Sequence, residues 1–296
     1  MENASPGERL RDLVEDSTIQ VPGAFNALVA KMIEQAGFDA MYLSGAAFSA
    51  GTLGMPDVGL FTLTELVQHT RYLSRAASIP LIVDADTGFG EAVNVERCVE
   101  ELEEAGAAAI QLEDQQLPKR CGHLSGKSLV SVEEMCAKIR AASASRYDGD
   151  MVIIARTDAR GTHGFDEAVE RARRYIDAGA DWIFPEALQN VGEFERFAEL
   201  IDVPLMANMT EFGKSPLLGL EELSELGYAV VLYPVTLMRV AMKGVEAALN
   251  MIAADGKQTE LLDLMQTRQE LYDLLGYANY EARDREYFEL SEDELN

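Results

Sequence analysis

Residues Leu81 to Asp114 read LIVDADTGFGEAVNVERCVEELEEAGAAAIQLED. The stretch opens on the apolar run Leu81 to Asp84 and closes on a second, Ala109 to Glu113. Between them Val95 to Glu104 carries its apolar residues at helical spacing and stops at Gly106. A buried strand, an amphipathic helix and another buried strand make one βαβ unit, in which the two strands run parallel.

The same rhythm continues in both directions. Further strands are expected at Ile19 to Val21, Ala40 to Leu43, Val152 to Arg156, Trp182 to Pro185, Leu205 to Asn208 and Ala229 to Tyr233. Helices are expected at Asn26 to Gln35, Leu63 to Ala76, Val132 to Ala142, Phe165 to Asp177 and Glu221 to Leu226. Glu34-Gln35-Ala36-Gly37, Glu104-Ala105-Gly106-Ala107 and Asp177-Ala178-Gly179-Ala180 are alike because each ends a helix ahead of a strand. About eight such units close a barrel, so the fold class is α/β, a (β/α)8 TIM-type barrel. Beyond Tyr233 lie a long helix, Thr236 to Ala254, a second candidate from Glu260 to Leu275, and an acidic tail. We expect one catalytic domain over residues 1–296, whose C-terminal helical arm, from about residue 236, packs on a neighbouring subunit.

Of the 296 residues, 48% are hydrophobic and 26% charged, enough for a sizeable core. Acidic residues outnumber basic ones 51 to 25, and the net charge of -26 argues against nucleic acid and anionic membranes as partners. Only seven of the basic residues are lysines, a balance that suits a protein working in concentrated salt, where screening removes self-repulsion. Three cysteines without a C-x-x-C pair indicate neither a disulfide framework nor a zinc knuckle and fit a reducing cytoplasm. No apolar run approaches the ~20 residues that span a bilayer.

In such barrels reactive groups stand at the C-terminal ends of the strands. Here those ends read Val83-Asp84-Ala85-Asp86, Leu112-Glu113-Asp114, Ala155-Arg156-Thr157-Asp158, Pro185-Glu186 and Asn208-Met209-Thr210. Asp84 and Asp86, two apart on an extended strand, would point to one face and converge on a hard cation, with Glu113, Asp114 and Glu186 at neighbouring ends. Oxygen ligands of this kind favour Mg²⁺ or Mn²⁺ over zinc. Cys121, in Lys119-Arg120-Cys121-Gly122-His123 with Lys127 following, would be a low-pKa thiol among cations that also suit an anionic substrate. Cys98 and Cys136 read as core residues of their helices. Arg156, Arg239 and Arg268 offer forks for carboxylates, although spacing alone leaves surface salt bridges open for the last two. His69, in an amphipathic helix, and His163, in a turn, are uninformative.

These segments, in the order Tyr42-Leu43-Ser44-Gly45, Asp84 to Gly90, Glu113-Asp114-Gln115, Lys119 to His123 and Ala155 to Asp158, resemble the isocitrate lyase and phosphoenolpyruvate mutase superfamily over nearly the whole chain. The resemblance is nearest to its 2-methylisocitrate lyases, and the cysteine signature marks the carbon–carbon lyases rather than the phosphonate-forming mutases. It implies Mg²⁺ held by Asp84 and Asp86, with Asp57 and Glu113 helping through water. It further implies substrate contacts from Ser44, Gly45, Ala46, Cys121, Gly122, Arg156, Glu186, Asn208, Met209, Thr210, Arg239 and Arg268. Ala46 stands where the family often has a second glycine. A homotetramer with exchanged C-terminal helices is also implied.

The expected reaction is a retro-Claisen cleavage of 2-methylisocitrate to pyruvate and succinate, with Cys121 as the acid that protonates the new carbanion. Tyr42 is one candidate base, should the metal and Arg156 depress its pKa, and Glu113 is the other. Leu232 gives an apolar wall for a methyl group, while isocitrate, 2,3-dimethylmalate and oxaloacetate are alternative substrates. Leu117 to Leu129, charged and bearing glycines, is expected to close over the substrate.

Overall fold

The computed structural model describes residues 4–120, 122 and 126–293. Helix α1 (Pro6–Asp16) leads into β1 (Ile19–Pro22), α2 (Ala27–Gln35), β2 (Met41–Leu43), α3 (Gly45–Gly51), α4 (Leu63–Ala76) and β3 (Leu81–Asp84). Then come α5 (Ala92–Glu104), β4 (Ala109–Glu113), α6 (Val132–Ser145), β5 (Val152–Thr157), α7 (Phe165–Asp177), β6 (Trp182–Pro185), α8 (Val191–Leu200), β7 (Met206–Asn208), α9 (Leu220–Glu225) and β8 (Val230–Tyr233). The chain ends with α10 (Thr236–Asp255), α11 (Arg268–Leu275) and α12 (Tyr277–Asp293).

All named strand pairs are parallel. Strands β2 to β6 pair in sequence order and β8 lies between β1 and β7. Single parallel bridges, Gly23 with Tyr42 and Ile183 with Leu205, join the two groups at their seams. Every strand thus has a parallel neighbour on both sides, the arrangement of a (β/α)8 barrel. The period-two alternation of the strands sorts their side chains. Ile82, Ile154, Phe184 and Leu232 pack inside the barrel with Leu10 of α1, whereas Val83, Ile153, Ile183 and Val231 pack under the helices.

The register brings the polar strand ends together: Glu113 lies opposite Arg156, and Arg156 opposite Phe184. Helices start on side-chain caps. Asn26, Ser131 and Asn190 each accept an amide hydrogen bond, and Thr62 and Glu65 cap reciprocally. Gly106 and Gly179, at φ 98° and 109°, hold the left-handed turns that end α5 and α7, as their position in the sequence requires.

Besides the helix of the acidic tail, three helices escaped the sequence reading. One is α3, seven residues of mostly small side chains without an amphipathic stripe; the others are α1 and α8. The candidate helix from Glu260 to Leu275 is two elements, a 3-10 turn at Thr259–Leu264 and α11. The break occurs because Thr267 and Glu270 form a reciprocal cap that starts a new helix, and the acidic tail is itself helical. By its contacts the chain falls into two compact units, Met1–Arg239 and Val240–Asn296. In the second, Gly276 caps α11 and Tyr272 stacks on Tyr277 at 4.6 Å. No helix among the described residues is long and apolar enough to cross a membrane.

Candidate active site

At the C-terminal ends of the strands a cavity opens. Tyr42, Ser44, Ala46, Asp57, Asp84, Arg120, Gly122, Arg156, Phe184, Glu186, Asn208, Thr210, Leu232, Pro234, Val235 and Arg239 line it. One wall is acidic. Asp84, Asp86 and Glu113 are all buried and can each aim one oxygen so that the three lie within 4.8 Å of one another. Asp84 ends β3 as expected, but Asp86 is no longer on the strand. It stands in the left-handed region at φ 49°, so a turn, rather than strand alternation, brings the two carboxylates together.

Asp84 accepts hydrogen bonds from the Gly45 amide at 3.0 Å and from Gln111 Nε2 at 3.2 Å. Both Glu113 oxygens are buried and accept no hydrogen bond among the described residues. Burial pushes the Glu113 carboxyl well above the usual range, against the opposing pull of Arg156 and Lys119. Burial likewise pushes Asp86 up to about 7, opposed by Lys119 and reinforced by Asp84 and Asp57. A buried carboxylate without a donor beside two more is an arrangement that a divalent cation satisfies. The donor set, all carboxylate oxygen, fits a hard ion. Asp114, expected to contribute here, turns away. It accepts from Thr157 Oγ1 and Tyr175 at 2.8 Å and from the Asp158 amide at 2.9 Å. Glu186 is also outside the triad.

Lys119, read from the sequence as a cation beside the thiol that also suits an anionic substrate, is 4% exposed and lies 2.5 Å from both Asp57 and Asp86. Burial alone would lower its pKa, but Asp86, Glu113 and Asp57 reverse that effect and keep it an ammonium. Arg156 forms the opposite wall. Its Nε meets Asp158 at 3.0 Å, Nη2 meets Glu186 at 3.3 Å, Nη1 lies 3.5 Å from Glu113, and the guanidinium sits over Phe184 at 5.2 Å. Burial opposes its charge, and Asp158, Glu113 and Glu186 outweigh the burial. Asn208 Nδ2 donates to Glu186 at 3.2 Å. Gly122 packs directly on this group, for a Cβ there would come within 2.4 Å of Arg156 Nη2.

Tyr42 donates to Gln111 at 2.5 Å. Its phenol is pushed well up by burial and by the Asp84 carboxylate, and Arg156 only partly offsets them. Ser44 caps α3 through the Ala47 amide and also lines the cavity. Arg239 donates to Glu211, to its carbonyl at 2.7 Å and its carboxylate at 2.9 Å. Met209 is buried under the helices, where its sulfur accepts the Leu218 amide, and is not among the lining residues. Arg268 is the exposed first residue of α11, in the second unit. Cys121 and His123 lie outside the described residues, while Arg120 and Gly122, on either side of Cys121, both line the cavity.

The profile of the family Phosphoenolpyruvate phosphomutase matches residues 10–253. The 2-methylisocitrate lyase of Aeropyrum pernix is 54% identical over 291 residues, which cover 98% of this chain and 94% of that protein. Among solved structures, 2,3-dimethylmalate lyase, a PEP mutase/isocitrate lyase superfamily member, matches with a TM-score of 0.90 at 35% identity, covering 96% of each chain. A phosphonopyruvate hydrolase in complex with oxalate and Mg²⁺ matches with a TM-score of 0.87 at 32% identity over 96% of this chain and all (100%) of the other.

Proposed function

The chain belongs to the phosphoenolpyruvate phosphomutase family, and from that premise we propose that it is a lyase that cleaves 2-methylisocitrate to pyruvate and succinate with Mg²⁺ as its cofactor. The observation that carries the reading is the cluster of Asp84, Asp86 and Glu113 oxygens, which reaches the cavity through Asp84, in a cavity also lined by the Arg156 fork and by apolar Phe184, Leu232, Pro234 and Val235. Such a cavity suits a small acid with several carboxylates and one methyl group. The 54% identity over nearly the whole chain to a 2-methylisocitrate lyase supplies the substrate.

Asp84, Asp86 and Glu113, with Asp57 behind Lys119, would hold the ion. Mg²⁺ bound there supplies charge stabilisation to the hydroxyl and carboxylate oxygens of the substrate. Arg156 and Arg239 would take the substrate's carboxylates, and the fork of Arg156 matches a carboxylate bidentately. Ser44, Gly45, Ala46, Gly122, Glu186, Asn208 and Thr210 would complete the shell around the substrate, and Met209, packed under the helices, is left out of it. Removal of the C2 hydroxyl proton lets the C2–C3 bond break, so that C2 becomes the carbonyl carbon of pyruvate and the electron pair moves onto the succinate half. A proton from Cys121 would then end the reaction at C3 of the succinate half, which carries that electron pair. The base is Tyr42 or Glu113. Tyr42 reaches the cavity directly, and Glu113 has the unbonded oxygens.

In the same reading the protein acts in the cytoplasm in the breakdown of propionate, in concentrated salt, as a homotetramer with exchanged C-terminal helices. Val240, Val245, Leu249, Leu262 and Leu264 are exposed apolar residues that such an exchange would cover. Product analysis tests the activity. With Mg²⁺, 2-methylisocitrate should give pyruvate and succinate in equal amounts, and Cys121→Ser should lose most turnover while still binding the ion. Absence of pyruvate, with glyoxylate formed from isocitrate instead, would contradict the substrate assignment.

A further inference from the structure

Lys127 carries a cation into the site without facing the cavity. Its side chain is 1% exposed, and its ammonium sits 2.5 Å from Asp158 Oδ1 while also donating to the Gly122 carbonyl. Asp158 is the carboxylate that holds Arg156, through Nε on Oδ2 at 3.0 Å and Nη2 on Oδ1 at 3.3 Å. Gly122 rests against the same guanidinium, at Arg156 Nη2, and against Glu186. One buried ammonium thus fixes two of the neighbours of the Arg156 fork, Asp158 and Gly122.

We propose that Lys127 is a positioning residue for Arg156: its bonds to Asp158 and the Gly122 carbonyl hold the fork in the plane and at the depth that a substrate carboxylate meets. The charges explain why a cation is needed there. Arg156 faces three buried carboxylates, Glu113, Asp158 and Glu186. Without Lys127, Asp158 would draw more of the guanidinium to itself, and a fork committed to Asp158 has fewer donors to offer the substrate. The backbone of Asp158 is pinned separately, by its amide on Asp114, so the strand end stays in place when the ammonium is lost. This inference rests on the proposed lyase reaction for its kinetic readout but not for its structural one.

The test compares Lys127→Met and Lys127→Arg with the parent chain. Turnover of 2-methylisocitrate, Mg²⁺ affinity, thermal midpoint and amide hydrogen exchange across residues 116–130 are measured on each. Lys127→Met should lose about tenfold or more in kcat/KM, up to the ~10²-fold that misplacement by an ångström can cost. It should exchange faster across 116–130 and keep its Mg²⁺ affinity, because the acidic triad is not among its partners. Lys127→Arg should recover most of both changes. Activity within twofold of the parent, or unchanged exchange, would overturn the proposal. Should the parent fail to cleave 2-methylisocitrate, the reading of function falls and exchange alone decides this one. If Lys127→Met does not fold, Lys127→Gln, whose amide keeps a donor for the Gly122 carbonyl, takes its place in every measurement.

Discussion

Replacing Gly122 by alanine places one methyl group where the structure has no room. The new Cβ would lie 2.4 Å from Arg156 Nη2 and 2.5 Å from Glu186 Cγ. Ordinary heavy-atom contacts begin near ~3.5 Å, so something must move by about 1 Å. Neither neighbour gives easily. Arg156 is tied to Asp158, Glu113 and Glu186, and Glu186 also accepts from Asn208. Overpacking of this kind costs ~1–3 kcal/mol, and the chain has two ways to absorb it. Either the Arg156 to Glu186 contact opens, or the backbone at Gly122 lifts off the fork. Both alter the group that would clamp the substrate, and a displacement of ~1 Å there can cost ~10²-fold in rate. Gly122 belongs to no helix or strand, so the thermal midpoint should fall only a few degrees. The assay is kcat and KM for 2-methylisocitrate with Mg²⁺ held saturating, with Gly149→Ala as the control because its Cβ would meet nothing within 4 Å. A Gly122→Ala enzyme within about threefold of the parent would refute the reasoning that this close approach sets the fork.

Three further outcomes are expected. Tyr42→Phe should lower kcat and leave Mg²⁺ affinity intact if the phenol is the base, whereas Glu113→Gln should weaken Mg²⁺ binding whichever residue takes the proton; steady-state kinetics beside calorimetric titration with Mg²⁺ separates the two. Burial lowers the pKa of His69, whose Nε2 lies 3.0 Å from the Phe25 carbonyl. The unfolded chain therefore takes up the proton first. The contribution is fully present above the unfolded value of ~6.5 and is lost as pH falls below it towards the folded value. His69→Gln should flatten the fall in midpoint between neutral and mildly acidic pH, and an unchanged slope would remove His69 as a cause. Finally, the net charge of -26 should make the fold more stable as salt rises, because screening relieves self-repulsion. A midpoint independent of salt would contradict that reading.

The strands were legible because their apolar runs are short, regular and closed by glycine or polar residues; Leu81–Asp84 and Trp182–Pro185 coincide with the expected limits. The short helix α3 was not, since GAAFSAG has no periodic apolar face to read. Within the site, the acidic strand ends were visible as residues, but not the turn at Asp86 that makes them converge. Charge partners were the least legible. Lys119 and Lys127 read as cations for a substrate, yet both are turned onto buried carboxylates, Asp57 and Asp86 for one and Asp158 for the other. Asp158 and Gln111 were passed over for the same reason. Their importance comes from contacts across strands, Gln111 with Tyr42 and Asp84, Asp158 with Lys127, that no local spacing encodes.

The most direct test of the account is the ratio of kcat/KM for 2-methylisocitrate to that for isocitrate, measured with Mg²⁺. The apolar wall at Phe184 and Leu232 predicts a preference for the methylated acid of about 10–200-fold, the worth of one methyl group in an apolar pocket. A preference for isocitrate, with release of glyoxylate, would contradict the substrate assignment, and no cleavage of either would contradict the lyase reading itself.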